Sequence, residues 1–173
     1  MMKNLIFAVL FLISSAGFSN LLAQSTGLET GNMAPEISLP DLNGKVVTLS
    51  SLKGKLVLID FWATWCSPCV EEQTEMARLY LKFKTSGFTN ANGFEIYGVS
   101  LDAKKPNWEN FVKSKKISWT QVSDLKFWKS PVAKAYNIQE LPFNILIDGK
   151  GIILAKNLHG DELEKRIAGY LKK

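Results

Sequence analysis

The chain is poor in the residues that hold metals and build disulfide frameworks. Its 173 residues include two cysteines, one histidine and four methionines. Two cysteines allow one internal bridge at most, which excludes a cysteine-stapled scaffold. A structural zinc site needs four ligands. Cys66, Cys69 and His159 are the only soft donors available, so no metal is expected, and His159 reads as an exposed residue near the start of the last helix. Haem attachment needs a histidine directly after the second cysteine, and Val70 stands there. Internal repeats and low-complexity tracts are absent. Charge of one sign is nowhere concentrated: the net +5 comes with scattered lysines such as Lys53, Lys55, Lys82, Lys84, Lys104 and Lys105. That pattern reads as a solvated surface, and no nucleic-acid partner is expected. A long apolar run is missing too. Leu5-Ile6-Phe7-Ala8-Val9-Leu10-Phe11-Leu12-Ile13 falls well short of the about 20 residues that span a bilayer.

What is present at the start is a leader. Lys3 is the only charged side chain before Glu29, and the apolar run is followed by Ser14, Ser15, Ala16 and Gly17. A basic start, a short apolar stretch and small residues make a secretory signal peptide. It is assigned to residues 1–24, with cleavage after Ser19, Ala23 or Gln24; the alternative is an uncleaved anchor. No cysteine lies near this point, which excludes lipid attachment there. The expected location is outside the cytosol, either soluble or held by that anchor.

The remainder has the composition of one globular domain with a real core, 46% hydrophobic and 21% charged. Residues 25–36 are polar and predict a flexible leader. A domain over residues 37–173 follows. Ile37-Ser38-Leu39 and Val46-Val47-Thr48-Leu49 flank Asn43-Gly44 and predict an N-terminal hairpin. Residues 56–61 are nearly all apolar, as in a strand buried on both faces; Asp60 interrupts the run and shares a face with Leu56 and Leu58. A helix is predicted from about Pro68 to Lys84. Glu72, Met76, Leu79 and Phe83 recur on one side of it, and Glu71, Glu75, Arg78 and Lys82 on another. The first set is a core face that begins with a carboxylate, so Glu72 is expected to point inward or into a cleft. A loop follows at 85–93, then a strand at 94–100 and a helix opened by Pro106 with Trp108, Phe111 and Val112 inward. A short strand at 119–122, one or two helical turns at 131–136, a hairpin of 143–147 with 152–155, and a final helix after Gly160 complete the order. Leu163, Ile167, Tyr170 and Leu171 are expected to face inward there. Strands alternating with helices predict an α/β fold, a central mixed β-sheet flanked by helices.

The chemistry points to Trp65-Cys66-Ser67-Pro68-Cys69, which joins the buried strand to the long helix. A disulfide between Cys66 and Cys69 closes a tiny loop and contributes little chain-entropy stabilisation. Such a pair is suited to thiol-disulfide exchange rather than architecture. Cys66 stands just before the helix, where free N–H groups and the dipole favour a thiolate. It is the expected nucleophile, and Cys69, one turn inside, the expected resolving thiol. Pro68 suits a first helical turn. No cofactor beyond the redox-active disulfide Cys66–Cys69 is expected. Trp65, Ser67 and Pro68 border the sulfurs as expected substrate contacts, and Trp62 and Phe61 are candidates to line the same cleft.

Val57-Leu58-Ile59-Asp60-Phe61-Trp62-Ala63-Thr64-Trp65-Cys66-Ser67-Pro68-Cys69 resembles the active-site segment of the thioredoxin superfamily. The N-terminal hairpin, Thr64 and Glu72 are similar to the TlpA/ResA-like branch of exported bacterial thiol-disulfide oxidoreductases. The resemblance implies a thioredoxin-like fold and a protein-disulfide reductase in the periplasm. It implies that Asp60 lies beneath the cysteines and that Glu72 stands beside them, two candidate proton relays for Cys69. It places Leu141-Pro142 at the family's cis-proline, facing Cys66, with the Leu141 backbone open to a substrate strand. The family more often has Thr or Val where this chain has Leu141, a departure that bears on which substrate docks. Implied partners are exported protein thiols and disulfides, apocytochrome c among them. Ser67-Pro68 keeps the proline of reducing thioredoxins, which implies a reductant supplied by a membrane thiol donor. Peroxidases of the same fold carry a motif similar to Pro-x-x-x-Thr-x-x-Cys; Ile59 and Ala63 occupy the matching positions here, so that activity is not expected. A non-catalytic exported binding module is the remaining rival, and an insulin-type reduction assay separates the two.

Overall fold

A computed structural model describes residues 25–173; the leader assigned to residues 1–24 lies outside them. In chain order the strands are β1 (Ser38–Pro40), β2 (Val46–Thr48), β3 (Leu56–Trp62), β4 (Gly87–Phe88), β5 (Ala91–Asn92), β6 (Phe94–Ser100), β7 (Thr120–Val122), β8 (Phe143–Ile147) and β9 (Ile153–Lys156). The helices are α1 (Ser67–Phe83), α2 (Lys105–Ser114), α3 (Pro131–Ala135) and α4 (Gly160–Ala168). The central sheet has the order β7-β6-β3-β8-β9. β3 runs parallel to β6, and β6 to β7, whereas β8 is antiparallel to both β3 and β9. This is the mixed sheet flanked by helices that the alternation of elements predicts.

β3 is the middle strand, and all seven of its residues are buried. Its two sides feed separate layers. Val57, Ile59 and Phe61 pack with Trp108 and Val112 of α2 and Ala133 of α3. Leu56 and Leu58 pack with Met76, Leu79 and Phe83 of α1 and with Leu163 and Ile167 of α4. Period-2 alternation therefore sends Asp60 toward α1. On the solvent side of α1, Arg78 and Lys82 both pair with Glu164 of α4, so the charged face ties two helices together.

The sheet has two edges, and each recruits backbone from the N-terminal part. The β1–β2 hairpin forms as predicted, with Gly44 at φ +80° in its turn. It reaches the β7 edge, where Ser123 N donates to Pro40 O. At the opposite edge, Gly31 N donates to Ile153 O, Ile153 N to Asn32 O, and Ala34 N to Gly151 O. The stretch expected to be a flexible leader is thus fastened along β9. An edge strand offers unpaired N–H and C=O groups, and composition alone does not reveal that a polar segment will satisfy them.

Three features differ from expectation. The 85–93 loop contains the β4–β5 hairpin, stitched to the C-terminus by Thr89 N donating to Tyr170 O and Lys172 N to Gly87 O. α4 ends at Ala168, so Tyr170 and Leu171 lie beyond it, half-buried against the α1 layer, and Lys165 and Arg166 occupy its last turn. Phe61 and Trp62 are wholly buried. They do not line a cleft: Phe61 packs on Tyr136, while Trp62 packs on Phe111 and donates Nε1 to Gln121 Oε1 at 3.0 Å.

Candidate active site

The chain leaves β3 at Trp62 and turns before α1. That turn is held from the neighbouring strand. Leu101 N donates to Trp62 O at 2.8 Å. Buried Asp102 receives Thr64 N at 3.1 Å, the Thr64 hydroxyl at 2.6 Å and the Ser100 hydroxyl at 2.8 Å. The carboxylate after β6 thereby fixes the turn after β3, and with it the start of α1. Neither Ser100 nor Asp102 stood out in the sequence.

Cys66 is the N-cap of α1, with extended backbone, and its Sγ accepts the Cys69 N–H at 3.2 Å. Sulfur therefore sits where serine or aspartate oxygen usually caps a helix. Cys66 and Cys69 form a disulfide. Both are buried, Cys69 at 1% exposure more deeply than Cys66 at 6%. Ser67 and Pro68 are exposed in the first turn. Trp65 is 46% exposed and donates Nε1 to Leu101 O at 3.3 Å.

Asp60 is 2% exposed, facing α1. Burial, chiefly, and then the charge of Glu72 push its carboxyl up to about 7, against the opposing pull of the Gln73 amide. Its Oδ2 and Gln73 Oε1 are both buried without hydrogen-bond partners among the described residues. A protonated carboxyl is the form that suits such surroundings. Gln73, not Glu72, is the fully buried polar residue of this turn. Cys69, Gln73, Met76, Leu79 and Phe83 form the inward row, and Glu72 sits at its margin.

Glu72 is instead held by His159, whose Nδ1 lies 2.8 Å from Glu72 Oε1. The other ring nitrogen, Nε2, lies 3.0 Å from Asn157 Oδ1. The turn carrying this histidine is anchored by Asn144, which donates Nδ2 to Leu158 O at 2.6 Å and receives Leu158 N at 3.1 Å. His159 does precede the last helix as expected, but it is a partner of the site carboxylate and not merely an exposed cap.

The Leu141–Pro142 peptide is cis. Leu141 and Pro142 share an open cleft of about 470 Å³ with Pro68, Glu72, Asn157 and His159. Backbone N and O of Leu141 make no hydrogen bond among the described residues. The structure therefore brings Cys66, Cys69, Glu72, Asp60, Pro68, Leu141 and Pro142 to one end of β3 and α1, and adds Gln73, His159 and Asn157. At this end two carboxyls differ in their surroundings: Asp60 is buried and pushed up to about 7, and Glu72 meets His159 Nδ1 at the cleft mouth. That arrangement can hold and move protons beside a dithiol.

Residues 30–156 match the AhpC/TSA family. The chain belongs to that family. It is 32% identical over 180 residues to the thiol-disulfide oxidoreductase ResA of a Bacillus cereus strain, covering 100% of this chain and 98% of that one. With ResA of Bacillus subtilis strain 168 the identity is 36% over 166 residues, covering 94% and 87%. Among solved structures, the thioredoxin domain of a thiol-disulfide oxidoreductase from Bacteroides vulgatus superposes with a TM-score of 0.75. It is 38% identical, with 84% of this chain and 100% of that one covered. The expected thioredoxin-like fold is thus established, and the protein is an oxidoreductase of thioredoxin type. Among the described residues no helix is long and apolar enough to cross a membrane.

Proposed function

We propose that the protein reduces disulfides of exported proteins through Cys66 and Cys69. The observation that carries this reading is the position of Cys66 Sγ as the cap of α1, receiving the Cys69 N–H at 3.2 Å. Orphan N–H groups and the helix dipole stabilise negative sulfur there. In the reduced protein the Cys66 thiolate attacks a substrate disulfide. One S–S bond forms, the substrate S–S bond breaks, and a substrate thiolate leaves. Cys69 then loses its proton and attacks Cys66 Sγ. The second substrate thiolate departs, and the internal disulfide remains.

Glu72 and Asp60 act as the proton relay for Cys69, with His159 holding the Glu72 side chain in position. Trp65, Ser67, Pro68, Leu141 and Pro142 contact the substrate, and the Leu141 backbone pairs with an extended substrate strand. Two electrons from a membrane thiol donor restore the dithiol. Apocytochrome c is one substrate of suitable chemistry, an exported chain with a Cys-x-x-Cys pair. Residues 1–24 direct export to the periplasm and are cleaved or remain as an anchor.

Trapping tests this. In a Cys69→Ser variant, exported proteins should accumulate as mixed disulfides on Cys66, releasable by dithiothreitol. A Cys66→Ser variant should trap none. Equal trapping by both variants, or by neither, removes the assignment of attacking and resolving sulfurs.

A further inference from the structure

Five large apolar side chains are exposed among the described residues, and three of them touch one another beside the disulfide. The Trp65 ring centroid lies 5.0 Å from that of Phe127 and 5.9 Å from that of Trp128, and the latter two are 6.1 Å apart. Each is 39–46% exposed. Trp65 immediately precedes the capping cysteine, so the cluster begins one residue from the reacting sulfur.

The segment carrying Phe127 and Trp128 is held in an unusual backbone. Leu125 has φ +56° and Phe127 φ +53°. Left-handed conformation is costly for bulky side chains and persists where the surroundings impose it. Here Ser123 Oγ accepts Leu125 N and donates to Ser100 O, Asp124 Oδ1 accepts Lys126 N, and buried Ser130 starts α3. The aromatic pair is presented on a braced loop, not left on a frayed one.

An open groove of about 570 Å³ adjoins the cluster, lined by Ala103, Leu125, Lys126, Phe127 and Lys129. No acidic side chain lines it. Lys126 and Lys129 make no ion pair among the described residues. Apolar surface with unpaired cations at its rim complements a chain that carries an apolar residue next to an acidic one.

We propose that this aromatic cluster and its lysine-lined groove dock the segment flanking the substrate's disulfide, and select one with an aromatic or aliphatic residue followed by a carboxylate. The proposal rests on the reading of Cys66 as the attacking sulfur and names the class of substrate for it. The rings take the apolar side chain close to the sulfur, and Lys126 and Lys129 take the carboxylate farther out. The selected feature is a short acidic-apolar sequence and not a folded surface.

The test uses mixed disulfides between peptide cysteines and a chromogenic nitrothiobenzoate. One peptide carries Tyr and Glu after its cysteine, a second carries Tyr and Lys, and the third reporter is cysteine alone. Release by the reduced protein is followed for wild type, Trp128→Ala, and Lys126→Gln combined with Lys129→Gln. Wild type should take the acidic peptide over the basic one by about tenfold in kcat/KM at low salt, and lose much of that preference at high salt. The double lysine variant should reduce the preference to within about twofold. Trp128→Ala should slow both peptides by about fivefold or more. All three proteins should treat the cysteine reporter alike. Equal rates on both peptides, or a preference unmoved by the lysine substitutions, overturns the proposal while leaving the dithiol chemistry in place. No release from the cysteine reporter by wild type instead overturns the reductase reading, and the proposal with it. A wild-type dimer in sedimentation that Trp128→Ala dissociates assigns the cluster to self-association and also overturns it.

Discussion

His159 Nδ1 meets Glu72 Oε1 at 2.8 Å across 87 residues of sequence, joining the N-terminus of α4 to the first turns of α1. The Glu72 side chain is 14% exposed and that of His159 39%, so the pair sits at the cleft mouth with partial access to water. Loss of either partner therefore frees the other's side chain within the cleft that Pro68, Leu141 and Pro142 also line.

Glu72→Gln should slow resolution by Cys69 and displace its pH profile. His159→Gln should displace the profile too, because Glu72 is freed. Combined in a double-mutant cycle, the two should couple by about 0.5–1 kcal/mol, the scale of a partly exposed ion pair. Stopped-flow exchange from roughly pH 5 to pH 9 reads the range where thiol and carboxyl relays titrate. A Glu72→Gln profile identical to wild type removes Glu72 from the mechanism. Strictly additive substitutions remove the link to His159.

The parts of this site that were legible in the sequence are those written in contiguous residues. Residues 56–61 form a nearly continuous apolar run, so β3 and the shared face of Asp60, Leu56 and Leu58 followed from period-2 alternation. The cysteine spacing and the adjacent proline placed the sulfurs at the helix start. Glu72 and Gln73 are harder to separate, since neighbouring helical positions differ by only about 100° and both border the inward row. The pairing of His159 with Glu72 has no local signal at all: it depends on the β8–β9 return and on the grip of Asn144 on Leu158. Phe127 and Trp128 have no periodic companions between Lys126 and Lys129, so nothing marked them as a surface cluster. The fastening of residues 25–36 is invisible for the same reason, because backbone rather than side chains makes the bonds to β9.

Asp60 gives the oxidised protein a pH-dependent stability whose sign follows from linkage. Its carboxyl is pushed up to about 7 in the folded chain, above the ordinary value of about 3.9. The folded state therefore holds a proton through a range in which the unfolded chain has released it. The stabilising contribution is fully present below about pH 4, declines as pH rises toward 7, and is gone above it. Three pK units set a ceiling of about 4 kcal/mol. Asp60→Asn should remove this slope, so its advantage over wild type should widen between about pH 5 and pH 8. Urea midpoints of the disulfide forms at those two values provide the measurement. Parallel curves would show that Asp60 ionises in the folded protein as freely as in the unfolded one.

Thr64 is expected to matter through Asp102 and not through direct contact with sulfur. Its hydroxyl and its N–H both bind that carboxylate, which is 1% exposed. Thr64→Val keeps the shape but leaves Asp102 Oδ1 without its 2.6 Å donor. A buried charged acceptor stripped of a partner costs about 1–3 kcal/mol, to be read from denaturant midpoints. Thr64→Ser retains the hydroxyl and should recover most of the loss. If Val and Ser behave alike, the hydroxyl bond contributes nothing and the clamp rests on the backbone donor alone.

Gly98 offers a test of the layer behind the site. It lies between Asp60 on β3 and Gln121 on β7, in register with both. A Cβ added there would stand 2.3 Å from Gln121 Nε2 and 2.8 Å from its Oε1. Gln121 must then move, and its Oε1 is the acceptor for the indole N–H of fully buried Trp62. Gly98→Ala should therefore destabilise by about 2–4 kcal/mol, from overpacking together with a stranded buried donor. The strain is relieved if the obstructing side chain is shortened. In a Gln121→Ala background the same glycine substitution should cost less than half as much, because the obstructing amide is gone and Trp62 has already lost its acceptor. An undiminished cost in that background would mean that the added methyl group collides with the strands themselves, and that the Gln121–Trp62 bond is not what Gly98 makes room for.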